Sequence, residues 1–329
     1  MHPSEVLFQG TSRPLMLPAC DHYAGSEVLM RKSMALQQEL GPVFDITFDC
    51  EDGASNGQEL EQARMMAHLI ASADNRHQRI GVRVHDVHSR FFNSDCDEIL
   101  AACQPAYLTL PKAHGVADVK LAIKQIKARH KKSPTPHANE AEHKLVPIHV
   151  LIETHGALNE AQAIAALPEV ECLSFGIMDF VSAHYGAIPA SAMRSPGQFI
   201  HPMVVRAKLE IAAACHAHGK VPSHNVTTEI KDSAIVANDA ARAIAEFAYT
   251  RMWSIHPQQI KPIVKAFTPR NSELHEAIQI LTEAQRQQWG PIQLNGRLHD
   301  RASYRYYWTI LQRAKLCGLS LPESASGLL

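Results

Sequence analysis

The stretch "VFDITFDCEDGAS" (43–55) puts four carboxylates, Asp45, Asp49, Glu51 and Asp52, in and just after a run that otherwise reads as a buried β-strand. Buried carboxylates are costly unless paired, hydrogen-bonded or bound to a metal. Strand alternation sorts the stretch into two faces. Phe44, Ile46 and Phe48 share one, and Asp45, Thr47, Asp49 and Glu51 share the other. In "IGVRVH" (80–85), Ile80, Val82 and Val84 likewise oppose Arg83 and His85. In "LVPIHVLIET" (145–154), Ile148, Val150 and Ile152 oppose His149, Leu151 and Glu153. Other apolar runs end in Lys112, lead to Asp179, or end in Ser223-His224-Asn225 and His256-Pro257.

Carboxylates converging on one point suit a hard divalent cation. Mg²⁺ takes oxygen ligands, commonly one or two carboxylates plus waters and substrate oxygens. Glu153 and Asp179 are the candidate metal ligands. Glu51 and Asp52 are candidate holders of metal-bound water. Arg83 and Lys112 are candidates for balancing charge, binding an anionic substrate or stabilising an enolate. Each has a plainer reading on its own. Asp45 reads as structural, paired to a barrel Lys or Arg. Glu51-Asp52 could be a turn capping the next helix, and Arg83 an interior ion pair. Glu153 and Asp179 could each cap the helix that follows. His149, His184 and His224 read as packed or surface histidines. Convergence on one face favours chemistry; no single residue does.

That convergence needs a scaffold, and strand and helix patterns alternate along the chain. Strands are expected at 15–19, 43–50, 80–85, 106–112, 145–154, 170–176, 220–225 and 250–255. Helices are expected at 57–73, 96–103, 116–129, 157–167, 203–219 and 229–248, and from Pro257 to about Phe267. Such alternation implies a parallel sheet, and eight units fit a closed (β/α)8 TIM barrel, whose active site lies at the C-terminal ends of the strands. No glycine-rich dinucleotide or phosphate loop follows an early strand. The expected barrel spans 13–270. Two amphipathic helices at 271–329 form a C-terminal extension. "RHKKSPTPHANEAEHK" (129–144) reads as a solvated excursion. "EVLFQG" (5–10), which matches a viral protease cleavage sequence, is set outside the barrel.

Composition narrows the class. The 329 residues are 46% hydrophobic and 20% charged, with net charge −1, so no global field favours nucleic acid or an anionic membrane. No run is long enough for a membrane span. The seven cysteines form no C-x-x-C pair, which points to a reducing cytoplasm.

With these residues placed, the chain resembles the HpcH/HpaI aldolase and citrate lyase β-subunit (CitE-like) superfamily, which includes malyl-CoA lyases, over roughly 13–318. "DITFDCEDGASNGQELEQAR" is similar to its acidic block, with Asp45, Asp49, Glu51, Asp52 and Arg64. "VRVH" matches its arginine strand, "LTLPKA" its L-P-K, "VLIETHGAL" its metal-ligand strand and "LSFGIMDF" its F-G-x-x-D. "SIHPQQI" matches its I-H-P-x-Q-I, and "GRLHDRASYRYYWTILQRA" its C-terminal G-x-x-x-D, with Asp300. The resemblance implies a TIM barrel and Mg²⁺ on Glu153 and Asp179. It further implies a homotrimer or hexamer in which the C-terminal segment of one copy covers a neighbour's site. The implied chemistry is Claisen-type cleavage or condensation of a hydroxyacyl-thioester such as citryl-CoA or malyl-CoA. Arg83 then stabilises an enolate, Lys112 and His256 help bind substrate, and Asp300 from a neighbour is a candidate base. The chain departs from the pattern at strand one, where Cys20-Asp21 stand for a glycine and little positive charge follows. It departs again at Cys50 and His85. Three rival readings are an Mg²⁺-dependent aldolase on free 2-oxo acids, a hydroxyacyl-CoA thioesterase and a catalytically silent acyl-thioester-binding barrel.

Overall fold

The computed structural model describes residues 2–10, 13–53, 57–130 and 145–329. Eight parallel strands close into a barrel in sequence order: β1 Cys20–Ala24, β2 Phe44–Asp49, β3 Ile80–Arg83, β4 Leu108–Leu110, β5 Ile148–Ile152, β6 Val170–Phe175, β7 Val221–His224 and β8 Arg251–Ser254. Helices follow the strands around the outside, including Glu27–Leu40, Glu59–Ala71, Val116–His130, Pro202–Ala217, Ser233–Phe247 and Pro257–Phe267. This is the expected (β/α)8 TIM barrel with C-terminal helices. From 131 on, the expected excursion 129–144 lies outside the described residues.

One hydrophobic core lies between sheet and helices. It takes Phe44, Ile46 and Phe48 from β2, Val82 from β3, and Ile148, Val150 and Ile152 from β5. These are the apolar faces read from alternation. The opposite faces fill the barrel, and they are polar: Asp21, Asp45, Thr47, Thr109, His149, Ser174, Ser223 and Arg251 are all buried.

Strand one corrects the sequence reading. The apolar run 15–19 is only a lead-in, and β1 begins at Cys20. β1 carries Asp21 on its inward face, which meets the polar interior, and His22 on the other face beside Phe44, so hydropathy alone passes over it. Gly25 follows the strand, where a Cβ would sit 1.9 Å from the Gly53 carbonyl oxygen. A glycine, Gly25, thus does follow strand one, after the Cys20-Asp21 position. The helix expected at 157–167 is two short ones, His155–Asn159 and Ala161–Ala165.

A second core joins the helices Asn271–Arg286 and Arg301–Leu316, which flank an antiparallel hairpin, β9 Ile292–Leu294 and β10 Arg297–His299. "EVLFQG" belongs here. Val6 and Leu7 are buried against this core, Phe8 packs on Trp308 at 5.2 Å between ring centroids, and Arg305 Nε donates to the Leu7 carbonyl at 2.7 Å. Arg313 Nη2 donates to the Phe267 carbonyl at 2.9 Å, tying the last long helix to the barrel. Among the described residues no helix is long and apolar enough to cross a membrane, and all seven cysteines are free.

Candidate active site

Register builds the first pair. Parallel pairing sets Asp49 of β2 directly opposite Arg83 of β3. Arg83 Nε and Nη2 donate to the two Asp49 oxygens at 2.7 and 2.6 Å, a bidentate fork, and Arg83 Nη1 lies 3.2 Å from Glu51 Oε2. Asp49 also accepts from the Glu51 and Gly53 amides at 3.0 and 2.9 Å, which folds the acidic turn back over the strand end. Glu51 and Asp52 do not cap the next helix, whose N-cap is Gln58. Burial works against charge on Arg83, but the Asp49 hydrogen bonds and charge win, and its pKa is raised. The guanidinium is a fixed positive charge.

Lys112 leaves β4 with φ +51°, an uncommon left-handed backbone for a lysine. That bend turns its amide toward Glu153 Oε1, at 2.6 Å, while its side chain reaches Glu51 and Asp52 (Nζ to Asp52 Oδ2 2.9 Å). Burial disfavours charge on both partners. It is outweighed by hydrogen bonding: Lys112 lowers the Asp52 carboxyl, and Glu51 first, then Asp52, raise the Lys112 ammonium.

Glu153 is buried at the end of β5. A Cβ on Gly176, which follows β6, would lie 2.4 Å from Glu153 Oε2, so this close approach needs glycine. Burial pushes the Glu153 carboxyl up to about 7; the Lys112 amide pulls it down and the charge of Asp179 pushes it further up. Thr154, not Glu153, caps the following helix, accepting from the Ala157 amide at 3.0 Å. Asp179 is exposed in the first turn of the helix Ile177–Ser182, whose N-cap is Gly176. Among the described residues no group of three or more His, Cys, Asp or Glu side chains is arranged to hold a metal ion.

His256 caps the helix Pro257–Phe267, its Nδ1 accepting from the Gln258 amide at 3.3 Å. Gln259 donates to the Thr227 and Glu229 carbonyls at 2.8 and 2.9 Å, pinning the loop after β7 to the end of β8. Asp300 stands apart. It caps its own helix, Arg301–Leu316, and pairs with no barrel-mouth residue among those described. Arg64 pairs on the surface with Glu98 at 2.9 Å.

Three features escaped the sequence reading. Arg251 is fully buried against Asp45 and Asp21. Tyr23 of β1 stacks on Trp253 of β8 (centroids 4.4 Å, 22°) and lies under Arg83, and with Leu151 and Val226 these rings form a small apolar wall inside the barrel. Lys208, fully buried, donates to Gln198 at 2.9 Å and lies 2.7 Å from His224 Nε2, while Gln198 in turn accepts from Asn225 at 2.8 Å. Alternation in "TRMWSI" could have turned Arg251 and Trp253 inward; nothing local marks Lys208. His149 and His224 are packed, as read: His149 stacks on Tyr107 at 3.9 Å.

A closed parallel barrel with a charged mouth defines a (β/α)8 enzyme. The family model for HpcH/HpaI aldolase/citrate lyase matches residues 32–257. The chain is 56% identical to a citrate lyase from Burkholderia xenovorans LB400, whose crystal structure aligns over 100% of both chains with a TM-score of 0.85. It is 24% identical over 285 residues to the L-malyl-CoA/beta-methylmalyl-CoA lyase of Rhodobacter capsulatus, covering 82% of this chain and 87% of that one. CitE of Mycobacterium tuberculosis, solved with magnesium, acetoacetate and coenzyme A, shares the fold at 21% identity and TM-score 0.67, over 91% of this chain and 98% of that one. The chain belongs to the HpcH/HpaI aldolase/citrate lyase family and is a carbon–carbon lyase.

Proposed function

We infer that this lyase is Mg²⁺-dependent and makes or breaks the C–C bond of a hydroxyacyl-CoA thioester of the malyl-CoA or citryl-CoA type. The observation that carries this is the charge imbalance at the mouth. Among the described residues, Asp49, Glu51, Asp52, Glu153 and Asp179 meet two cations there, Arg83 and Lys112. Burial resists charge on Glu153, and Asp179 adds to that resistance. A divalent cation between the two relieves both, so the donor set fits Mg²⁺, with waters and substrate oxygens as the other ligands. When bound, Mg²⁺ would polarise the carbonyl of a 2-oxo or 2-hydroxy acid.

The remaining steps fall to the chain's own groups. Arg83, held by Asp49 and Glu51, faces the negative charge that develops on the thioester enolate. Lys112, held by Glu51 and Asp52, and His256 contact the acid half. Asp300 of a neighbouring copy is the base for the hydroxyl proton in the cleavage direction. Leu298 and Tyr306, which flank Asp300 in the chain, are 76% and 58% exposed, which supports a trimer or hexamer that buries this segment. The names of the malyl-CoA lyase and of CitE with magnesium and coenzyme A support the substrate class.

The test is Mg²⁺ titration calorimetry with oxalate present, beside incubation with malyl-CoA and citryl-CoA. Saturable Mg²⁺ binding that is lost in Glu153→Gln, together with acetyl-CoA as product, is expected. Free CoA would instead indicate a thioesterase, and cleavage of free acids alone an aldolase. No Mg²⁺ binding in either protein would sink the metal reading.

A further inference from the structure

A second cavity lies at the other end of the barrel. Lys220, Thr250 and Ala19 immediately precede β7, β8 and β1, three neighbouring strands, and so form part of the barrel floor. Facing them is the last long helix, Arg301–Leu316. Between the two is a cavity of about 260 Å³. An apolar cavity of roughly 150 Å³ suffices to hold benzene, so this one has room for a somewhat larger body.

Its apolar walls include Leu17, Phe267 and Leu316, and its charged or titratable lining includes His216, Lys220 and Arg313, with no carboxylate. His216 has one ring nitrogen bonded and Lys220 has two of its three donors committed. His216 Nε2 bonds the Ala248 carbonyl at 2.8 Å. Lys220 Nζ donates to the Leu167 and Val170 carbonyls at 3.1 and 2.6 Å. Arg313 differs. It donates once, to the Phe267 carbonyl at 2.9 Å, and makes no ion pair among the described residues. No other bond from it is seen among the described residues; the Glu273 carboxylate acts on it electrostatically but does not line the cavity. A guanidinium with spare donors at the wall of an acid-free apolar cavity is a receptor for one carboxylate. A second carboxylate on the same ligand would be buried among apolar walls at high cost.

We propose that this cavity binds a small monocarboxylate with an apolar chain of about six to eight carbons, its head on Arg313 and its chain between Leu17, Phe267 and Leu316. The ligand class differs from the oxygen-rich acids suited to the mouth. Because barrel and C-terminal helix both line the cavity, the ligand also fastens one to the other.

The experiment is calorimetric titration of octanoate into the full chain and into Arg313→Met, Leu17→Trp and Arg83→Met, each checked for folding by circular dichroism. Saturable one-to-one binding is expected in the parent chain and in Arg83→Met. It should weaken at least tenfold in Arg313→Met and vanish in Leu17→Trp, whose ring fills the cavity. Leu316→Phe replaces Leu17→Trp if the latter does not fold. Absence of saturable binding, equal binding in Arg313→Met, or loss in Arg83→Met each overturns the proposal; the last assigns octanoate to the mouth. Activity of the lyase site is not the readout, so failure of the proposed lyase chemistry leaves this test intact.

Discussion

Two charge clusters share the inside of one barrel, and β2 contributes to both. At the floor Asp45 takes Arg79 bidentately at 2.6 and 2.8 Å, while Arg251 bridges Asp45 and Asp21. About 13 Å along the strand, by the usual rise of ~3.3 Å per residue, Asp49 takes Arg83 in the same fork. The floor is closed and balanced: two carboxylates, two guanidiniums, with Asp21, Asp45 and Arg251 all buried. The mouth has an excess of carboxylates and opens to solvent at Asp52 and Asp179. A balanced buried cluster cancels its own charge, even though Arg251 Nε and Nη2 lack hydrogen-bond partners among the described residues. An unbalanced one at an opening has capacity left for a cation and an anionic substrate. Like residues, paired alike, thus serve different ends according to what is left over.

The comparison breaks first at Arg251. Replacing it by Met strands Asp21 without a cation, while Asp45 keeps Arg79, and urea unfolding should show a loss of about 3–5 kcal/mol. Arg83→Met should do the reverse. Asp49 keeps its two amide donors and Glu51 keeps Lys112, so the loss of stability should be smaller than for Arg251. Thioester-cleavage assays should show kcat falling by roughly 10²–10³-fold, the size expected for one lost electrostatic stabiliser. A variant that unfolds while keeping its specific activity would erase the distinction.

Glu153 sharpens it through pH. Its carboxyl titrates near 7 when folded against an ordinary 4.5. The folded state therefore holds the extra proton between those values, and stability from this group falls as pH rises through the window. Without divalent cation, Glu153→Gln should be as stable as the parent chain at pH 4.5. By pH 8 it should be more stable, on the order of 3 kcal/mol. Urea melts at the two pH values in EDTA test this; a constant difference would refute the burial argument.

Two smaller effects probe the edges of the mouth. Trp253→Ala removes half of the stacked wall beneath Arg83, and KM should rise about tenfold with kcat less affected, as for a contact used equally in ground and transition states. Thr154→Ala removes the cap that starts the helix after Glu153, and should cost about 1 kcal/mol by thermal unfolding. Equal damage to kcat and KM in the Trp253 variant would place the ring nearer the reacting atoms.

Much of this could be read from the residues in line. Alternation is local, so the inward faces of β2, β3 and β5 and their terminal Asp49, Arg83 and Glu153 followed from a period of two. The repeat of strand and helix signals was enough for the barrel. Strand β1 was misplaced because its polar inward residues meet other polar residues, a match that only closure of the barrel supplies. Closure also decided which charges pair. Arg251 lies 206 positions from Asp45 in sequence, and nothing near either announces the other. It set Val6 and Leu7 against helices near the far end of the chain, and it left the cavity beside Arg313. Periodicity assigns a side chain to a face because the backbone geometry repeats within each element. Which charges cancel, and which are left over to do chemistry, depends on register between strands distant in the chain, and only the tertiary structure decided that.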